Sequence, residues 1–396
     1  TAHPIRTDSD NEFAANTMTH RLPANIANVI RAHPDYPQAV MDALAALSAS
    51  IAGNHPIPPP PLPSWDHDTW RGEYQPYATD TWHDTEWFFA ETYAFRLILS
   101  ASRYFETRID PYGPMKEAEL DSGAPFLPVQ RFFAAGGPAA AILNGGSIAA
   151  DAAPTLLEEA LHLAMWGNKA DISFAAGGAL DHSAGERELL LRDDSIAAAT
   201  ILSKAKGTVH IIMDNSGAEL AGDLVAALTI IHLTGAAVVL HPKLYPTYVS
   251  DTTVEDIHTY LDRATQSTDP TVRQLASAVR TEFRTGAISL APDDFWCTTR
   301  FLSGMPPRIE ASLDGTALVI VKGDFNYRRV FRDTIWPAGT DPRDAAGAEF
   351  PYPILLLRTM KSDCLVGVPE EVSDSLDATE PGWRTAGARG IIQLMT

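Results

Sequence analysis

Residues 208–241 read TVHIIMDNSGAELAGDLVAALTIIHLTGAAVVLH. TVHIIMD (208–214) is a short run rich in β-branched residues, which predicts a strand. GAELAGDLVAALTIIHL (217–233) carries apolar residues at helical spacing, and AAVVLH (236–241) returns to a strand. Both strands are apolar at consecutive positions, the mark of strands covered on two faces. Two such strands joined by a helix run parallel, because the helix carries the chain back before the second strand begins.

The alternation continues downstream. A loop leads to the helical TVEDIHTYLDRA (253–264), and further helical material lies around 270–285. Then come TALVIVKGD (316–324), the helix FNYRRVFRD (325–333), and the strands ILLLRT (354–359) and CLVGV (364–368). From about residue 151 to 396 the pattern predicts an α/β fold, a mostly parallel, Rossmann-like three-layer sandwich with helices on both faces. Upstream the pattern changes. PQAVMDALAALSASIA (37–52) and DTEWFFAETYAFRLILSASRYF (84–105) read as helices, the second with Asp84 placed as its N-cap. Between them, PIPPPPLPSW (56–65) has too many prolines for a helix or a central strand, so residues 56–63 are an extended connector. That run also suits a proline-binding partner, the weaker of its two readings. Residues 1–150 are expected to form a helical cap domain, and residues 151–396 the α/β domain.

Composition bounds the partners. The chain has 396 residues, 45% hydrophobic and 20% charged, an ordinary soluble composition with ample material for a core. Thirty basic against 50 acidic residues give a formal charge of -20. So acidic a chain repels nucleic-acid phosphates and anionic membrane surfaces, which excludes both as expected partners. Cys297 and Cys364 are too few for a disulfide framework or a thiolate zinc site. The opening TAHPIRTDSDNEF has neither the basic nor the apolar region of a signal peptide, and LVAALTIIHLTGAAVVL is broken by His232 and Gly235. The expected location is the cytoplasm.

Ligands of open α/β sheets bind beyond the carboxyl ends of the strands, so the residues just past each strand are informative. TVHIIM is followed by Asp214-Asn215-Ser216-Gly217 and a helix bearing Glu219. AAVVL is followed by His241-Pro242-Lys243 and a loop reaching Ser250-Asp251. TALVIV ends in Lys322-Gly323-Asp324, with Asn326, Tyr327 and Arg328 close behind, and ILLL leads to Arg358, Lys361 and Asp363. Asp214, Asn215 and Asp251 offer hard oxygen ligands suited to Mg²⁺ or Mn²⁺. Arg328, Arg358 and Lys361 can hold an oxyanion such as phosphate. A hard cation beside fixed cations is the equipment of phosphoryl transfer to water.

Each residue has an ordinary explanation too. Asp214 and Asn215 can cap the helix that starts near Gly217, and Glu219 can complement its dipole. Asp251 can cap as well, although Thr252 and Glu255 already have capping-box spacing. Arg358 and Lys361 can be solvated charges. Singly these readings are strong; at four successive strand ends they weaken together. No P-loop, no dinucleotide fingerprint, no H-E-x-x-H and no G-x-S-x-G occurs. Asp66-His67-Asp68-Thr69 has the look of an aspartyl-phosphate loop, but it follows the proline connector and not a buried strand.

Beyond these residues the chain resembles the damage-control phosphatase family, in the branch also called acidic-residue or protein-glutamate methyltransferase-like. The matching strings are WGNKADIS (166–173), DNSGAEL (214–220), HPKLYPTYVSDTT (241–253), KGDFNYRR (322–329) and LRTMKSD (357–363). Weaker matches are EWFFAETYAFR (86–96), DPYGPMK (110–116) and GWRTAGARGIIQL near the end. The resemblance implies metal-dependent hydrolysis of small phosphate esters, with sugar phosphates such as fructose 1-phosphate as substrates. It implies Asp214, Asn215 and Asp251 as ligands for Mn²⁺ or Mg²⁺, with Co²⁺ or Ni²⁺ as further candidates. It places Asp324 to Arg328, including Asn326, and Lys361 on substrate. Glu219 falls beside the metal, where the methyltransferase reading puts S-adenosylmethionine. Asn168 and Asp171, in a turn after the helix 154–167, are also brought to the site, against the alternative of a helix C-cap. Glu91 and Arg96 lean over the pocket on a cap helix, or simply pack. Ser216, Ala218 and Phe325 depart from the family pattern without touching a ligand position.

The expected function is therefore a metal-dependent phosphatase. Asp214, Asn215 and Asp251 hold the metal, Lys361, Arg358 and Arg328 neutralise phosphate, and Asp324 orients substrate or takes a proton. Water and a carboxylate both stay open as nucleophile. The other readings are an S-adenosylmethionine-dependent carboxyl methyltransferase, a non-catalytic metal- or sugar-phosphate-binding module, and a biosynthetic enzyme acting on a phosphorylated intermediate.

Overall fold

The computed structural model describes residues 2–62, 64–167 and 187–396; Asn168 and Asp171 lie outside the described residues. The strands are β1 (His3–Pro4), β2 (Leu190–Asp193), β3 (Thr208–Ile212), β4 (Ala237–His241), β5 (Ile288–Leu290), β6 (Leu318–Lys322), β7 (Thr334–Ile335), β8 (Ile354–Thr359) and β9 (Gly390–Met395). Seven form one sheet in the order β2-β9-β8-β6-β3-β4-β5, and β1 pairs with β7 apart from it. β8, β6, β3, β4 and β5 are parallel to one another. β9 runs antiparallel to β8, and β2 runs alongside β9. The fold is the expected α/β class with a mostly parallel sheet. Its chain builds outward from β3 through β4 to β5, then returns to add β6 and β8 on the other side. The connections leave β3 and β6 in opposite directions, which opens a crevice at their carboxyl ends.

Alternate residues of the central strands feed two cores. Val209, Ile211, Leu318 and Ile320 pack with the helix Ala218–Thr234 on one face. Ile212, Val319, Val321 and Leu356 pack on the other with Ile5, Trp87 and Ile98. Residues 218–230 of that helix are all buried. Its neighbour Ala153–Trp166 lies so close that a Cβ on Gly222 would come 2.9 Å from Ala164 Cα. The helical residues before 150 contribute to both layers. The helices Leu22–Ala32, Gln38–Ala52 and Trp87–Ala101 cover one face, while Leu120 and Val129 join the other. No helix among the described residues is long and apolar enough to cross a membrane.

Several local expectations are corrected. CLVGV (364–368) is not a strand but an irregular segment; Cys364, Leu365 and Val366 are wholly buried, so its apolarity reflects burial alone. The strand next to β8 is β9 instead. Asp84 does not cap the second helix, which begins after Glu86; its carboxylate pairs with Arg6 at 2.6 Å. The capping box beyond Asp251 is formed by Thr253 and Asp256, one residue later than the spacing at Thr252 suggested. Asp66 and Arg96 form a buried ion pair, so Arg96 belongs to the packing of its helix and not to the pocket.

Candidate active site

The segment after β3 and the loop after β4 are stitched together by main-chain bonds. Thr252 N donates to Asp214 O at 2.7 Å, Ser216 N donates to Ser250 O at 2.7 Å, and Lys243 N donates to Thr252 O at 2.8 Å. Asn215 and Asp251 are thereby held opposite each other as an antiparallel bridge. β6 closes the third side. Gly323 follows it with φ +84°, and a Cβ there would stand 1.9 Å from Asp214 Oδ2. Only glycine allows this approach, on grounds of both conformation and space.

Over these strand ends lies a cavity of about 230 Å³. Asp214, Asn215, Asp251, Asp324, Arg328 and Lys361 all line it, as does Glu91 from the helix Trp87–Ala101. The expected residues thus meet at the β3/β6 crevice. Asn326, Arg358 and Glu219 are not on its wall. The Asn326 amide donates to Met213 O at 3.1 Å and Lys322 O at 2.9 Å, bracing the ends of β3 and β6. Arg358 is buried, donating from Nε to Asp324 Oδ1 at 2.7 Å and from Nη2 to Ser362. Both were expected on substrate; their donors are instead spent inside the protein, and they position the residues that do line the cavity.

Charge is balanced unevenly. Arg328 pairs with Glu91 at 2.9 Å and Asp333 at 2.7 Å, so it reaches the cavity already neutralised. Lys322 lies 3.0 Å from Glu219 and 2.6 Å from Asp223, all three buried. Glu219 also accepts from Asn215 Nδ2 at 3.0 Å. Lys243 Nζ stands 2.9 Å from Asp251 Oδ2, an oxygen that receives no well-aligned hydrogen bond. Asp214 is left with the least compensation. Burial pushes its carboxyl well above the usual range, and the neighbouring Asp251 and Glu219 push it further. Burial also raises Asp251, against the opposing charge of Lys243. Asp324 behaves in the opposite way: burial raises it, but Arg358 and Arg328 outweigh burial and hold it below the usual range.

Among the described residues no group of three His, Cys, Asp or Glu side chains forms a ready metal cage. The donor set at the crevice is two carboxylates and an amide, with under-compensated negative charge and an oxygen short of a hydrogen bond. That set fits a hard divalent cation, which takes oxygen ligands and completes its shell with water. Sequence reasoning missed several supporting groups. Lys243 and Lys322 were visible only as charges near strand ends, and their buried pairings are tertiary. Lys116, which donates to Asp251 O at 3.0 Å and pairs with Asp256 at 2.8 Å, lay in a weakly matching segment. The far wall, with Phe13, Thr17, Arg21 and Asn25, had no sequence signal at all.

Residues 17–376 match the model of the damage-control phosphatase ARMT1-like domain. The damage-control phosphatase ARMT1 of Bos taurus is 29% identical over 252 residues, covering 59% of this chain and 57% of that protein. The chain thus spans little more than half the length of that relative. The protein of the same name from Xenopus laevis is 24% identical, covering 98% of this chain and 97% of that protein. A solved DUF89 family protein from Pyrococcus horikoshii shares the fold with TM-score 0.50 at 13% identity, covering 97% of this chain and 98% of that one.

Proposed function

Because the chain belongs to the damage-control phosphatase ARMT1-like domain family, we propose that it is a metal-dependent phosphatase of the metabolite-damage type. Its proposed substrates are small phosphate monoesters, in particular sugar phosphates such as fructose 1-phosphate. The observation that carries this reading is the meeting of Asp214, Asn215 and Asp251 with Asp324 and Lys361 in one cavity. A divalent cation held by Asp214, Asn215 and Asp251, Mn²⁺ or Mg²⁺ by donor chemistry and Co²⁺ or Ni²⁺ as further candidates, would supply Lewis-acid charge toward phosphate oxygens.

The chain's own residues do the rest. Lys361 lines the cavity and has no ion-pair partner among the described residues, so its ammonium is available to a phosphate oxygen. Asp324 Oδ1 is taken by Arg358, Lys361 N and Ser362 Oγ, at 2.7, 3.0 and 3.1 Å. That leaves Oδ2 for substrate. Held ionised by Arg358, it is an acceptor, suited to orienting a substrate hydroxyl. An acceptor beside a phosphate site favours polyol leaving groups over purely apolar ones. The proposed overall step is attack of water on phosphorus, with cleavage of the ester P–O bond and departure of the alcohol with a proton.

The expected location is the cytoplasm, consistent with two buried free thiols, Cys297 and Cys364. The methyltransferase reading gains no support here. Glu219, the residue it would use, is buried, off the cavity wall and committed to Lys322 and Asn215. The test is phosphate release from a metabolite panel in parallel with Mg²⁺, Mn²⁺, Co²⁺ and Ni²⁺. Asp214→Ala and Asp251→Ala should each abolish metal-stimulated release; activity retained in both defeats the assignment. Calorimetry with S-adenosylmethionine checks the competing reading, since tight metal-independent binding would revive it.

A further inference from the structure

The wall facing the strand ends comes from the first helical segment. Phe13, Thr17, Arg21 and Asn25 line the same cavity as Asp214 and Lys361. They belong to one continuous run, the α-helix Glu12–Asn16, a π-helical turn Thr17–Arg21 and the α-helix Leu22–Ala32. In a regular α-helix, residues four apart drift around the axis by about 40° per step. A wider π turn reverses that drift, so positions 13, 17, 21 and 25 stay on one side. Such turns cost helical stability and concentrate at functional sites.

Arg21 is the cation of this wall. Its guanidinium stacks over the Phe13 ring at 4.6 Å, and Nη1 donates to Thr17 Oγ1 at 2.9 Å. Among the described residues no carboxylate pairs with it, in contrast to Arg328 and Arg358, which are fully engaged. With one face stacked and one corner pinned, the remaining edge of the fork is available to an oxyanion, and it meets a carboxylate in two parallel bonds. Phosphate charge is met at the strand ends, so a phosphate ester seated there directs its leaving group toward Arg21.

We propose that Arg21 is a specificity-determining residue that binds a carboxylate on the leaving group, remote from the phosphate. The substrate class is then the phosphorylated sugar acid, with Asn25 beside Arg21 to serve hydroxyl groups. This inference rests on the phosphatase reading for which end of the substrate enters first.

The test uses 6-phosphogluconate and glucitol 6-phosphate, open-chain esters that differ only in a carboxylate at C1. Binding of each is measured by calorimetry, in the presence of Mn²⁺, with the native protein, Arg21→Gln and Arg21→Lys. The native protein should bind the gluconate ester about tenfold tighter. Arg21→Gln should remove that difference, and Arg21→Lys should keep part of it, because an ammonium supplies charge without the fork. Arg21 is exposed, so both variants should keep the native melting curve. Equal binding of the two esters by the native protein, or an unchanged preference in Arg21→Gln, overturns the proposal. Phosphate release is followed in parallel. Discrimination in binding without release from either ester would count against the phosphatase reading and leave the role of Arg21 standing. Release without discrimination would do the reverse.

Discussion

The two walls of the cavity hold their polar groups by different means. At the strand ends, Asp251 has Lys243 and Asp324 has Arg358, and behind that wall Glu219 has Lys322, with each cation of these pairs buried. On the opposite wall, Arg21 is exposed and Asn25 half-buried, and Arg21 is steadied by Phe13 and Thr17 of its own helical segment. Chemistry on a phosphate needs charges that do not rearrange as the transition state forms. Recognition of a leaving group tolerates, and benefits from, side chains that adjust. The strand-end wall therefore couples function to folding, whereas the helical wall separates them.

Lys322→Met breaks that comparison most sharply. It takes from the buried Asp223 the cation that neutralises it, which should cost about 3–5 kcal/mol in urea denaturation. Lys322 is charged throughout the accessible pH range, since the two carboxylates outweigh the burial that would lower its pKa. Arg21→Gln, on the other wall, should stay within about 0.5 kcal/mol of native. Comparable losses in the two variants would erase the distinction. Gly323→Ala comes next, because the new methyl group meets Asp214 Oδ2 and forces a strained φ. We expect a loss of about 2–4 kcal/mol and at least about a hundredfold in phosphate release, as Asp214 is displaced.

Legibility in the sequence divides along the same line. Asp214, Asn215, Asp251, Asp324 and Lys361 stood out because polar residues directly after apolar strand runs are conspicuous. Arg358 and Asn326 were equally conspicuous, yet a sequence does not show whether a cation faces substrate or an internal carboxylate. β3 and β4 could be read from their apolar, β-branched runs. β2 and β5 have only 4 and 3 residues, too few for a period to show. CLVGV was misread because a buried irregular segment and a buried strand have the same composition. The π turn escaped entirely, since TMTHR lies within an otherwise ordinary amphipathic helical pattern.

The flank of the strand-end wall can be tested by pH. His210 and His241 bond ring to ring at 2.8 Å, and burial lowers His210 to about 4 and His241, with help from His210, to about 3. Both rings are neutral in the fold above those values but titrate near 6.5 when unfolded. The unfolded chain thus binds more protons below pH 6.5, and the pair's stability is intact above 6.5 and lost progressively toward pH 4. The unfolding free energy measured by denaturant titration from pH 7.5 to 4.5 should fall by about 2 kcal/mol more in the native protein than in His210→Gln. Equal pH profiles would place the pair outside the rigid wall's energetics.

The smallest expected effect separates the walls by sign. Asn25 lies in the helix Leu22–Ala32, and its side chain lines the cavity. Alanine is the better helix former, so Asn25→Ala should leave stability unchanged or raise it by up to about 0.5 kcal/mol. The same change removes a hydrogen-bonding group facing the leaving group, and KM for a polyol phosphate should rise about threefold with little change in kcat. At the strand ends no such trade is available for Asp251 or Asp324, because each of those carboxylates also satisfies a buried cation. A variant of Asn25 that lost stability and kcat together would show that the helical wall is built like the strand ends, and that recognition in this protein is as rigid as its chemistry.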